Sequence, residues 1–136
     1  MELLNLQRFI KELSIAAKLH LEWCAVSLDK RNLRAMPRHN LEHIDCVLSI
    51  DSHKNCEFGK WFKVNRQSFD NLDEFRTHQL KRDHYQMHEA ARIYYSNPEK
   101  NAVYFSRLVS KQEEVVDHIT HFKSLSNRLL KDFFMS

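Results

Sequence analysis

Nine histidines in 136 residues are the first sign of chemistry in this chain, and six of them fall into close pairs: His39/His43, His84/His88 and His118/His121. A neutral imidazole is a common metal ligand, and two of them four apart on a helix lie one turn from each other, with Cβ atoms about 5 to 6 Å apart. His84 and His88 stand in that relation. Sulfur is offered by Cys24, Cys46 and Cys56. An odd number of cysteines at irregular spacing cannot build a full disulfide framework, so free thiols in a reducing compartment are expected. Three imidazole nitrogens and one thiolate make a tetrahedral shell suited to zinc.

Helices must position such a shell. One glycine and two prolines leave too few turn residues for a hairpin-rich β fold, and the length fits a single domain, residues 1–136. Leu3, Leu6, Ile10, Leu13, Ala17, His20 and Cys24 step by threes and fours, which predicts a long first helix reaching about Leu28. Pro37 breaks that pattern, and Arg31 to Asn55 reads as an irregular connection with one helical turn around Leu41 to Leu48. With Asn55 as N-cap, a short helix is predicted over Cys56 to Phe62. A third helix follows from about Ser68 to Tyr95, with Leu80, His84, Met87, Ala91 and Tyr94 on its inner side.

Asn97 and Pro98 then form a cap with proline at the first helical position, so the fourth helix follows a very short turn and lies antiparallel to the third. It carries Leu108, Val115, Ile119, Phe122, Leu129 and Phe133 on one face and has no stop signal before Ser136, so it is expected to continue into an effector or to end a free-standing sensor. The expected fold is all-α: an antiparallel four-helix bundle with an additional short helix carrying the Cys ligand.

Composition excludes several functions. The net charge of +3 arises from 21 basic and 18 acidic residues spread along the chain, which gives no concentrated field for nucleic acid or anionic lipid. No apolar run approaches the roughly 18 residues of a membrane span, and no basic segment precedes an apolar one at the start, so a cytoplasmic location is expected.

The seams carry the candidate site. His20 takes an inward position in the first helix, and His84 and His88 take inward positions in the third. Buried imidazoles without partners cost about 1 to 3 kcal/mol each, and a shared divalent cation would satisfy all three. Cys56, in the first turn of the short helix, is the favoured thiolate because exposed amides there stabilise an anion. Cys24, one turn from His20, competes as the sulfur ligand; otherwise Cys24 and Cys46 read as small buried apolar residues. Gly59 either lets the short helix approach the bundle, anchored by Phe58, Trp61 and Phe62, or merely ends a helical turn. His39/His43 in the connection and His118/His121 at the edge of a helix face are expected to be solvated.

The stretch Cys56-Glu57-Phe58-Gly59-Lys60-Trp61 resembles the Cys-x-[Phe/Leu]-Gly-x-Trp signature of the chemoreceptor zinc-binding domain family of bacterial signalling proteins. In that family a histidine shortly before a tryptophan in the first helix, and a His-x-x-x-His in a later one, complete a zinc site of three histidines and one cysteine. The resemblance implies His20 (before Trp23), Cys56, His84 and His88 as ligands of Zn2+, and it selects Cys56 over Cys24. It further implies zinc or oxidant sensing, a homodimer, and a diguanylate cyclase or chemoreceptor signalling region as the effector, in cis or in trans. A four-ligand shell leaves no open position for substrate, so no catalysis is expected.

Three rival readings come from other classes. A hemerythrin-like di-iron bundle would use His53 and Glu57, four apart, but it needs bridging carboxylates on the seams, and the first and third helices offer none by pattern. A metal-free helical interaction module would be insensitive to chelators. Nucleophilic catalysis by Cys56 would need a pocket beside the thiolate.

Overall fold

A computed structural model describes residues 2–28, 52–96 and 101–135, and these are helical almost throughout. The described helices are α1 (Leu3–Leu28), α2 (Ser52–Asn55), α3 (Glu57–Val64), α4 (Arg66–Ser96) and α5 (Asn101–Met135). The predicted turn at Leu41 to Leu48, the His39/His43 pair, Cys46 and the Asn97-Pro98 cap lie outside the described residues. The all-α bundle expected from the periodicity is what the chain forms. No described helix is long and apolar enough to cross a membrane.

Side-chain meetings set the topology. Tyr94 packs on Phe105 with ring centroids 5.8 Å apart, Asp83 reaches His118, and Phe69 meets Phe122 at 4.8 Å, so α4 and α5 run antiparallel. Phe9 meets Phe69 and His20 meets His84, so α1 runs parallel to α4, as the first and third helices of an up-down bundle do. The side between them is filled by α2 and α3, where Ser52 touches His88, Cys56 touches His84 and Phe62 touches Phe69. The short cysteine-bearing segment is thus itself a wall of the bundle over this span.

Phe69 is the aromatic hub of the core. It is fully buried and contacts Phe9 of α1, Trp61 and Phe62 of α3, and Phe122 of α5. Burying one such ring stabilises the fold by about 1.5 to 3 kcal/mol. Trp61 is held in register by its indole N–H, which donates to Glu12 of α1 at 3.0 Å. These contacts clamp α3 between α1 and α4 just beyond the predicted site.

Three local expectations change. Asp73 has extended backbone angles (φ −164°, ψ 93°), and its carboxylate accepts the N–H of Arg76 at 3.0 Å, so α4 is two helical segments, the second capped by Asp73. Cys56, not Asn55, is the N-cap of α3: its backbone is extended, and its sulfur accepts the Gly59 N–H at 3.1 Å. Leu129 and Phe133, expected inside, are 40% and 45% exposed, because among the described residues the core opposite α5 ends near Phe122 and Ser126.

Candidate metal centre

Three predicted ligands converge. The Cys56 sulfur and the ligating nitrogens of His84 and His88 all lie within 4.8 Å of one another, and all three residues are buried. His84 Nε2 stands 3.3 Å from Cys56 Sγ and 3.2 Å from His88 Nε2. A zinc ion with bonds of about 2.3 Å to sulfur and about 2.0 Å to nitrogen holds its ligand atoms about 3.3 to 3.5 Å apart. These two spacings, both from His84 Nε2, match edges of such a tetrahedron, and the donor set fits the metal.

Each ligand is placed by a separate local device. His84 and His88 follow from the i, i+4 geometry of α4. Cys56 is fixed by its capping role, which aims the first-turn amides of α3 at the sulfur and favours negative charge there. His88 Nδ1 lies 2.6 Å from the Ser52 hydroxyl, which holds the ring with Nε2 toward the centre; with Nδ1–H donating to that hydroxyl, Nε2 keeps its lone pair for a metal. Sequence reasoning missed Ser52, since nothing marks a serine 36 positions from the ring it orients. Replacing it with alanine should weaken zinc binding about 10- to 100-fold with little effect on the metal-free fold, read by competition with a fluorescent chelator.

His20 stands beside this group. Its ring is fully buried, 5.5 Å from that of His84 and 5.4 Å from Phe58, but its Nε2 lies 3.5 Å from Cys24 Sγ. Its Nδ1 is buried without a hydrogen-bond partner among the described residues. An orphaned ring nitrogen in a core costs about 1 to 3 kcal/mol unless a ligand takes it up. The structure thus brings Cys56, His84 and His88 together and leaves His20 one ring away.

Burial keeps His20 and His84 neutral, the form that binds metal. It pushes His20 down to about 4. His84 is driven well below its ordinary value by burial first and then by His88, His20 and His53. Unfolded, each titrates near about 6.5, so between these values the folded state binds fewer protons and stability falls as pH drops through that window. The metal-free protein should lose about 2 kcal/mol from His20 alone between neutral pH and about pH 5, read from urea midpoints. A flat midpoint over that range would contradict the burial of these rings.

Burial, followed by the charge of Cys56, pushes the Cys24 thiol up to about 12, so it carries its proton unless a cation displaces it.

His118 and His121 depart from expectation. His118 is buried: Arg76 Nε donates to its Nδ1 at 2.7 Å, so its Nε2–H donates to Asp83 at 2.7 Å. His121 is half-buried and reaches Asp73 at 2.9 Å. Asp83 is an inward carboxylate that the pattern did not reveal. Burial pushes its carboxyl up, but hydrogen bonds from Arg82 and His118 and the charges of Arg82 and Lys111 hold it below its ordinary value. This network ties α4 to α5. The two di-iron candidates do not form a site, since Glu57 is exposed and pairs with Lys60 while His53 packs on Tyr85.

Comparison with protein-family models, curated proteins and solved structures finds no match. Metal binding therefore rests on the geometry of this chain alone.

Proposed function

We propose that the chain is a zinc-binding regulatory domain in which Cys56, His84 and His88, with His20 as fourth ligand, hold one zinc ion. The observation that carries this reading is the convergence of one sulfur and two imidazole nitrogens, all buried, at the ligand spacing of a tetrahedral metal. The orphaned His20 Nδ1 supports the fourth assignment, because rotation of that ring toward His84 would satisfy it. Four protein ligands hold a metal structurally and leave no position for substrate, so the role is regulation and not catalysis.

The mechanism is a two-state helix packing. Zinc ties α1 and α4 to the Cys56 corner between α2 and α3. When the thiolate is oxidised or the metal lost, that corner keeps its aromatic contacts with Phe69, the Trp61–Glu12 hydrogen bond and the Ser52–His88 hydrogen bond but loses its metal tie. Displacement of α3 repacks Phe69 against Phe122 and so reaches α5, the route to an effector. The likeness of Cys56 to Trp61 to the chemoreceptor zinc-binding signature supports a homodimeric sensor acting on a diguanylate cyclase or chemoreceptor region, responding to zinc or to an oxidant.

Elemental analysis of the purified protein tests the zinc assignment. One zinc per chain is expected, with loss of tight binding in both Cys56→Ala and His84→Ala. Unchanged stoichiometry in the two variants refutes it.

A further inference from the structure

A second group of soft donors lies on the other side of His20. Cys24 Sγ is 3.5 Å from His20 Nε2 and 4.0 Å from the Met87 sulfur. All three residues are buried, Met87 completely. A cation with bonds of about 2.3 Å to sulfur and about 2.0 Å to nitrogen, at angles between tetrahedral and trigonal, holds its ligand atoms about 3.5 to 4.0 Å apart. The two distances from the Cys24 sulfur already match that spacing.

We infer that Cys24, Met87 and His20 form a second metal site, selective for a soft monovalent cation such as Cu(I). Three observations argue for it. The donor types are thiol, thioether and imidazole, and thioether sulfur selects Cu(I) while contributing little to zinc, calcium or magnesium. One thiolate balances one positive charge, so a monovalent ion leaves this buried site neutral. A cleft of about 320 Å³ between α1 and α5, lined by Leu21, Cys24, Val109, Gln112 and Val116, gives the sulfur a route to solvent. The amide nitrogen of Gln112 in that cleft is buried and has no acceptor among the described residues. On binding, the Cys24 S–H bond breaks, its proton leaves to solvent and a sulfur–metal bond forms. No electron is transferred, since copper arrives as Cu(I).

His20 lies between the two groups of donors, so a soft cation beside Cys24 withdraws it from the zinc shell and leaves zinc three protein ligands. This consequence rests on the zinc reading; the soft-metal site itself does not.

The test is Cu(I) titration under anaerobic, reducing conditions against a bathocuproine chelator, with the methionine methyl carbons labelled. It is run on the zinc-loaded protein and on Cys56→Ala, which disables the other site. In both, one Cu(I) per chain is expected to bind at this site and shift the Met87 methyl resonance. Cys24→Ala should abolish that shift. Met87→Leu, which conserves volume and so keeps the fold, should weaken binding at least about tenfold. An unmoved Met87 methyl with one equivalent of Cu(I) bound, or undiminished affinity in Met87→Leu, overturns the site. Failure of the copper-free protein to bind one zinc, with the Met87 shift retained on Cu(I) addition, would overturn the zinc reading alone.

Discussion

Addition of zinc to the metal-free protein is expected to raise its melting temperature by more than about 10 °C, and excess chelator is expected to reverse the rise. Without metal, His84 Nε2 stands 3.3 Å from Cys56 Sγ and 3.2 Å from His88 Nε2 in buried space, and His20 Nδ1 lacks a partner among the described residues. A ligand at 1,000 times its dissociation constant stabilises the folded state by about 4 kcal/mol, and for a domain of this size each kcal/mol moves the transition by roughly 3 to 5 °C. Structural zinc sites have apparent binding energies of about 10 to 16 kcal/mol, so that degree of saturation is reached at micromolar zinc. The rise should vanish in His84→Ala. A melting temperature indifferent to both zinc and chelator would favour the metal-free interaction module.

Gly59→Ala should destabilise the protein by at least about 2 kcal/mol and weaken zinc binding about 100-fold, and here the sign of the stability change is diagnostic. Gly59 lies inside α3 without a positive φ, so nothing in its backbone requires glycine. Helix propensity alone predicts that alanine would stabilise it by about 1 kcal/mol. Space predicts the opposite. A Cβ at this position would overlap the backbone carbonyl oxygen of His53 and lie 3.3 Å from Cys56 Sγ. A backbone carbonyl cannot rotate away, so α2 would have to separate from α3, taking Ser52 from His88 and turning Cys56 out of the centre. Urea denaturation with and without zinc measures both effects, and a stabilised variant with intact zinc affinity would show that the approach of α2 to α3 is dispensable.

The sequence left open whether Gly59 admits the short helix to the bundle or ends a helical turn; it lies inside α3 against the His53 carbonyl of α2, a contact that neither reading named. Other features were legible for physical reasons. The three-four stepping of α1 and α4 encodes which face is buried, and it placed Leu6, Leu13, His20, Cys24, His84, Met87 and Tyr94 correctly in the core. The same stepping failed at Leu129 and Phe133, because a periodic stripe specifies a face and not how far the facing helices extend. Cap preferences favoured Asn55, whereas a cysteine held by the Gly59 amide took the role, an outcome that propensities rank low. His118 and Asp83 were misplaced because each is stabilised inside by the other across 35 positions, a pairing that no local pattern carries.

The zinc-edge X-ray absorption spectrum of the zinc-loaded protein tests the central claim most directly. The account predicts one sulfur at about 2.3 Å and the remaining ligands as imidazole nitrogens at about 2.0 Å, with the sulfur absent in Cys56→Ser. A shell without sulfur, or one that keeps its sulfur when Cys56 is replaced, would contradict it.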